Sequence, residues 1–442
     1  MSKLSPSIIL LIIISLLNNS RLSAQVHSIE LESPLRSNRF IVNVSYEGTN
    51  KLILGGKKTL KIITFDNVSK KKVEEKIISS KSIKIKELRN YYINTFENEE
   101  SIFLFYLDKL PSYNHAIKAI IVDKQNFSIK TFQSSTLDMS TVVLFSKKTK
   151  NSMRFFVQIN DEIKVLDFDD QLNMTSTESN IMDEFQDRKL MEGPYFDLSE
   201  ADSMEKIFVE NNSAYLLTDD HEKNVSRIYR IKGDSVNAQK LEFKVPQLET
   251  KNGKLKFNSF YHNNKLYQLA FTKIEGAFSI FDLSSMKIVF EEKFKTFESI
   301  SFSNTPKVTY TNLLNDKEKE KDDLPLMNKL YNHSPDLVIN EENDSLKINL
   351  GAYYYYSHSH YSPNGSYTTV STGEYKIGAL FDHDGQHLKG KYKLNIESDL
   401  ESFLKYESLN YHSSFRTDNG YMLIGIPEYS YEAKLYVKFI EN

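Results

Sequence analysis

The chain has 442 residues, 40% hydrophobic and 12% aromatic: enough apolar material for a large core, and too long for one small domain. Gly (15) and Pro (10) are scarce, which excludes a fibrous or low-complexity protein, and the absence of cysteine excludes disulfides and thiol chemistry. The net charge of −3 argues against nucleic acid or an anionic membrane surface as the principal partner.

Residues 1–24 read as a signal peptide. Lys3 is the charged start, Ile8 to Leu17 is an apolar run, and Leu22-Ser23-Ala24 precedes the expected cut. A run of about 10–12 residues is too short to span a bilayer, and no later stretch approaches ~20 apolar residues, so no transmembrane segment is expected. Cleavage removes Lys3 and Arg21 and no acid, which takes the net charge from −3 to −5. With no cysteine to carry a lipid, the expectation is a soluble exported protein, secreted or periplasmic, held together by its core alone. Asn-X-Ser/Thr triplets at Asn43, Asn126 and Asn224 matter only in a host that glycosylates.

From residue 34 onward one unit recurs: a strand, a short polar turn, a very apolar strand, a third strand ending near an acid, and a fourth strand rich in Lys and Glu. The first turns are YEGTN, FENEE, KKTKN, VENN, YHNN, EENDS and RTDNG. The strands after them begin near 51, 101, 152, 213, 265, 345 and 420, at spacings of about 50, 51, 61, 52, 80 and 75 residues. Third strands follow in every copy (LKIITFD, AIKAIIVD, EIKVLDFD, SRIYRIKGD, AFSIFDL, EYKIGALFD, AKLYVKFIEN). Fourth strands follow in six (KVEEKIIS, SIKTFQ, NMTSTE, QKLEFKV, KIVFEEKF, LKGKYKL). The seventh copy ends without one, and VHSIELES (26–33) is an unassigned strand that would supply it.

Near-continuous apolar second and third strands are what a sheet covered on both faces requires, and charged fourth strands suit exposed edges. Seven antiparallel four-stranded repeats near 50 residues resemble a β-propeller over nearly all of 26–442. The resemblance implies an all-β, seven-bladed β-propeller closed by the N-terminal strand, with short helical inserts on one face. The blades fall near 34–80, 90–133, 140–178, 205–246, 255–295, 335–396, and 405–442 plus 26–33, in a single domain over 25–442. The resemblance reaches no family: without Trp there is neither a Trp-Asp repeat signature nor an Asp-box Trp, and no Gly-Gly doublet recurs. The alternative is a tandem of β-sandwiches.

In an alternating blade, the turns between strands one and two and between three and four share one rim. The connections between strands two and three, and from one blade to the next, share the other. The long segments 177–204, 296–335, 357–374 and 397–410 all fall in the second class, and long loops on a rigid scaffold are where function usually sits. Within them, 180–192 reads as helical, with Ile181, Phe185 and Leu190 on one side and Gly193-Pro194 as the stop. Ser398-Asp-Leu-Glu401 reads as a capping box that lays Leu400, Phe403 and Leu404 on the rim, and 315–323 reads as a solvated loop.

Candidate binding residues on this rim are Tyr113 and His115, Asp219, Asp220 and His221, His358, His360 and Tyr361, and Tyr429. In YYYYSHSHY (353–361), His at i and i+2 share one side of a strand and can share a metal, and Tyr faces can stack on a sugar or a peptide group; the plainer reading is a hairpin with alternate Tyr in the core. Asp382-His-Asp-Gly-Gln-His387 resembles part of a calcium loop, yet Asp-Gly is foremost a hairpin turn, and it sits on the opposite rim. The insert 177–204 carries eight acids, which read as a solvated face unless two converge as a carboxylate pair. No Gly-X-Ser-X-Gly, His-Glu-X-X-His or phosphate-binding Gly loop occurs, so neither catalytic residues, a metal nor a cofactor is expected. The expected function is a monomeric binding or interaction protein for a protein, peptide or glycan. The alternative is a carbohydrate-active propeller hydrolase or lyase with carboxylates at its central opening.

Overall fold

A computed structural model shows an all-β chain of β-propeller architecture, built as seven meander sheets. It describes residues 26–442 apart from 31–39, 57–58, 80–91, 111, 113, 150–151, 161, 182–187, 192–194, 196–197, 202, 211–212, 251–253, 296–299, 306–307, 313–316, 322–331, 343–344, 363–364, 393–399, 401, 406–408, 418–419, 428–433 and 442. The signal peptide expected over 1–24, and Tyr113 and Tyr429, therefore lie outside the described residues.

Strand β1 (His27–Glu30) precedes the first meander, β2 (Phe40–Tyr46), β3 (Thr49–Gly55), β4 (Thr59–Asp66) and β5 (Lys72–Ser79). The second blade is β6 (Tyr92–Glu97), β7 (Ser101–Lys109), β8 (His115–Asp123) and β9 (Ile129–Gln133). The third is β10 (Val142–Lys148), β11 (Ser152–Ile159), β12 (Glu162–Asp169) and β13 (Met174–Glu178). After β14 (Arg188–Met191) and a 3-10 turn (Leu198–Ala201), the fourth is β15 (Glu205–Glu210), β16 (Ser213–Asp220), β17 (Val225–Ile231) and β18 (Gln239–Lys244). The fifth is β19 (Lys256–His262), β20 (Lys265–Phe271), β21 (Glu275–Asp282) and β22 (Lys287–Lys295). The sixth is β23 (Val308–Asn312), β24 (Lys317–Lys321), β25 (Ser334–Glu342), β26 (Ser345–Ser362) and β27 (Gly365–Phe381), and the seventh is β28 (Leu409–Thr417), β29 (Gly420–Pro427) and β30 (Lys434–Glu441).

The turn between the first two strands has two residues in five blades and three in the second and third. Glu47-Gly48 and Asn263-Asn264 carry positive φ at both central positions, the mirror-image turn that matches strand twist. The acid that ends the third strand has a matching local task. Oδ1 of Asp66, Asp123, Asp169, Asp282 and Asp382 accepts backbone N–H groups of the turn that follows. Hydrogen bonds of this kind hold the carboxyls of Asp66, Asp123 and Asp282 below their ordinary pKa, and that of Asp169 is lowered first by the side-chain amide of Asn173 and then by such backbone bonds.

Burial falls from the middle strands toward the fourth strand of a sheet. Strands β7, β11, β16 and β20 are almost wholly buried, whereas β5, β9, β13 and β22 expose most positions. The chain divides into two compact units, residues 90–397 and residues 1–89 with 398–442. In the larger, apolar side chains pack blade against blade. Phe105, Phe155 and Phe168 join the second and third, Phe156, Val165 and Leu216 the third and fourth, Phe208 and Phe260 the fourth and fifth, and Phe278 and Phe381 the fifth and sixth. In the smaller unit, Ile29, Leu54, Phe65, Ile424 and Phe439 join the first and seventh. There β1 pairs antiparallel with β30, His27 opposite Val437, as the fourth strand of the seventh sheet.

Four local expectations change. Part of 180–192 is not helical: β14 runs parallel to β15, Arg188 opposite Glu205, because the first-strand edge of the fourth blade offers backbone partners that a helix would forgo. The charged run at 315–323 is not a plain loop, since β24 pairs with β23 and β23 with β27. The segment 357–374 is not a loop either, because β26 and β27 remain paired out to Ser362 opposite Gly365. The fourth strand expected from LKGKYKL shrinks to a bridge at His387 and one bond from Leu388 N to Leu380 O (2.8 Å). Asn304 takes that edge instead: its N–H bonds Gly378 O, its Oδ1 accepts from Leu380 N, and its Nδ2 reaches Leu388 O (2.8 Å) and Gly390 O. The capping-box segment is helical at Leu400 and Ser402–Lys405, and Phe403 is buried.

Gly351 in β26 fixes how closely these strands pack. A Cβ there would lie 1.8 Å from the carbonyl oxygen of Tyr375 and 2.9 Å from Leu198. Backbone cannot yield as a flexible side chain can, so Gly351→Ala is expected to destabilise the larger unit by about 1–3 kcal/mol. A lowered urea midpoint at unchanged slope is the readout, and an unchanged midpoint contradicts the packing described.

Candidate functional site

The inserts and the connections between strands two and three meet the ends of the first strands in blades four to six. Asp219 and Asp220 are the last residues of β16, and His221 begins the turn into β17. Asp219 is buried: Oδ1 accepts from Ser226 Oγ (2.7 Å) and Oδ2 from the backbone N–H of Ser259 in the next blade (2.8 Å). The Ser226 and Ser259 hydroxyls lie 2.6 Å apart, and Gln268 Nε2 donates to Ser226 Oγ (2.7 Å). This network fastens blade four to blade five. Beside it Lys206, fully buried, donates through Nζ to Ser203 O (2.5 Å) and Asn258 Oδ1 (3.0 Å).

Asp220 accepts the N–H groups of Glu222 and Lys223 and pairs with Arg227 Nη2 at 2.7 Å. The turn N–H bond, with the Arg227 guanidinium, holds its carboxyl below the usual range. His221 stays exposed, its ring 4.4 Å from that of Phe257. Desolvation against that surface lowers its pKa and outweighs the raising effect of Asp219 and Asp220, so the imidazole is neutral at neutral pH. The turn presents an aromatic heterocycle beside the exposed Glu222 and Lys223, while the carboxylates of Asp219 and Asp220 are held by internal partners.

The insert between blades three and four straps this region. Strand β14 covers the edge of β15, and the chain then crosses to blade six. There the side chain of Asn340 holds both backbone groups of Tyr195, accepting from its N–H (2.9 Å) and donating to its C=O (2.7 Å). The Tyr195 ring meets Phe260 edge-on at 5.3 Å. The N–H of Leu198, a fully buried residue, donates to Glu374 Oε2 at 2.9 Å, and Lys376 pairs with the other oxygen at 2.7 Å.

The remaining candidates do not join this group. His115 opens β8 in the second blade, bonded through its backbone to Leu137. His358, His360 and Tyr361 lie in the outer part of β26, opposite Thr369, Tyr367 and Ser366. His383 and His387 follow the other end of β27. Thr369 and Phe381 are twelve residues apart on an unbroken ladder, about 40 Å, so the two His pairs are separate. Among the described residues no three His, Asp or Glu side chains form a metal-holding group.

One cluster escapes a motif search. Glu341 lies between His262 Nε2 (3.4 Å) and His383 Nε2 (3.5 Å), on the rim of tight turns. Nearby, the buried Tyr267 hydroxyl has no hydrogen bond among the described residues; desolvation first, then Glu341, Asp382 and Glu210, raises its pKa. The available signal was repeat position: His262 ends the first strand of blade five, and Glu341 stands one residue before that place in blade six. Lys147 is a second perturbed group. It is buried, its Nζ donates to Gly233 O, and desolvation and Arg154 lower its pKa to about 8.

The chain matches no protein-family model and no curated protein sequence. Solved structures with a remote likeness include the WD40 domain of SCAP from fission yeast (8% identity, TM-score 0.30, 94% of each chain) and a Dos1 propeller (9%, 0.31, 78% of this chain and 68% of that one). A post-proline cleaving enzyme from Rickettsia typhi is similar at 10% identity and TM-score 0.36; this chain aligns over 93% of its own length and 51% of the enzyme's. Likeness of this degree carries no argument about activity.

Two outcomes are expected. Asn340→Ala removes both bonds to Tyr195 and costs about 1–3 kcal/mol, with faster amide exchange over 188–201 while β20 and β21 stay protected. For Lys147, below pH 8 both folded and unfolded chains hold the proton and the full cost of burying the charge is felt. Between about 8 and 10.5 the folded chain has released it and the unfolded chain has not, so stability from this group rises with pH. The stability of wild type relative to Lys147→Met should therefore improve by on the order of 3 kcal/mol across that window, and a pH-independent difference contradicts the shift.

Proposed function

We propose that the protein is an exported β-propeller that binds a protein, peptide or glycan through the rim carrying its inserts. The observation that carries this reading is the one-sided distribution of length. The first hairpin turns have two or three residues in every blade, while the inserts before blades four and six and the extended β26–β27 hairpin account for most of the chain's added length. Export rests on the apolar N-terminal run and the cysteine-free composition. Binding rather than turnover is favoured by the state of the carboxylates near the rim: Asp219, Asp220 and Glu374 are each held by partners from the chain itself. No described helix is long and apolar enough to cross a membrane.

The test is a glycan array together with panels of immobilised peptides and exported proteins, probed with the chain from residue 25 onward. A ligand is expected whose affinity falls at least about tenfold on combined His221→Ala and Tyr361→Ala substitution and is unmoved by His383→Ala on the other rim. A ligand lost through His383→Ala and kept in the double variant overturns the choice of rim. Turnover of glycosides by the wild type overturns the choice of binding over hydrolysis.

A further inference from the structure

The hairpin β26–β27 continues past the blade that bears it. Strand β25 covers β26 from Ser345 as far as Tyr353, and β23 covers β27 from Gly373 to Lys376. Beyond these, eight residue pairs, from Tyr355 opposite Thr372 to Ser362 opposite Gly365, form a two-stranded ribbon about 26 Å long. Among the described residues neither outer edge of the ribbon has a further strand beside it. A ribbon of two strands is marginal in water by itself, and each edge presents a row of backbone donors and acceptors.

Its composition differs from every charged edge of the molecule. Residues 348–373 contain no Asp, Glu, Lys or Arg in a chain that is 26% charged. The edge strands β5, β18, β22 and β24 carry three or more charges each, the usual protection against sheet-to-sheet pairing. The ribbon instead concentrates Tyr, Thr and Val, which favour strands, together with Ser and His. Its base already accepts a strand from elsewhere in the chain, since β23 adds to β27 through four residue pairs.

We infer that the ribbon is a self-association edge: two copies of this chain pair their ribbons antiparallel about a two-fold axis and form one four-stranded sheet. A second copy is the occupant the charge argument selects. It brings an equally uncharged edge, so no ion is desolvated, and two-fold pairing lets one surface serve both partners. The inference departs from the monomer expected from the sequence. It is independent of ligand binding at the rim, because association is read without any ligand.

Sedimentation velocity on the chain from residue 25, over roughly 1 to 100 µM, is expected to show a concentration-dependent dimer. The paired substitution Ser359→Lys with Thr368→Lys is expected to return a monomer with unchanged circular dichroism and melting temperature. Since the chain has no cysteine, a single Cys at position 359 or 368 is expected to form an intermolecular disulfide on mild oxidation, and the position that does so identifies the pairing edge. A monomer throughout the range overturns the inference. So does a dimer that persists in the Lys variant or after Tyr355–Thr372 is replaced by a two-residue turn, since its interface then lies elsewhere.

Discussion

Two or three residues are enough to join the first two strands of every blade, and that restriction governs the rest of the molecule. A turn so short fixes the register of the pair it joins, and because side chains alternate faces, a slip of one residue would carry each apolar set to the wrong side. Register in turn aligns Phe105, Phe155 and Phe168 at one blade interface and Phe278 and Phe381 at another. Length that evolution adds to such a unit cannot enter the first hairpin without breaking that alignment. It accumulates where connections leave the sheets.

What was added did not remain loop. The inserts before blades four and six found backbone partners at edges that the repeat left open. Strand β14 took the first-strand edge of blade four, and β23 with Asn304 took the outer edge of blade six. An open edge is a line of unpaired donors and acceptors, and a nearby chain is drawn to it whatever its helical periodicity. Once there, the insert before blade four is pinned by Asn340 and Glu374, two buried polar side chains of blade six, which makes it part of the scaffold.

This explains what could be read before the structure and what could not. Strand starts at 101, 152, 213, 265, 345 and 420 were legible because turn chemistry and apolar runs are local signals. The pairing of His27–Glu30 with the last strand was legible because one blade lacked a fourth strand and one strand lacked a blade. The fate of 188–191, 317–321 and 388–392 was not legible, since each depends on a sheet edge outside the segment itself: β15 for the first, β23 docked on β27 for the second, and Asn304 on Leu380 for the third. The same reason hid the contact of Glu341 with His262 and His383. His383 stands in the Asp382–His387 turn, but neither His262 nor Glu341 forms a motif with its sequence neighbours: His262 and Glu341 come from first strands of adjacent blades, and His383 from the turn after the third strand of blade six.

The polar residues divide along the same line. Asp219 looked like a candidate ligand in the run Thr-Asp-Asp-His-Glu, and its carboxylate proves to tie Ser226 of its own blade to the backbone of Ser259 in the next. A carboxylate taken out of water is tolerated only when it is hydrogen-bonded, and Asp219, buried and accepting a bond on each oxygen from the chain itself, is held in place by the scaffold. Asp220 is spent on a turn and on Arg227. His221, next in sequence, points outward and stays neutral on the ring of Phe257. Burial has sorted three adjacent candidates into two structural residues and one surface residue. What this turn shows a ligand is the His221 ring between exposed charges at Glu222 and Lys223, and the β26–β27 ribbon adds, beyond the sheet, a stretch of chain without charged residues.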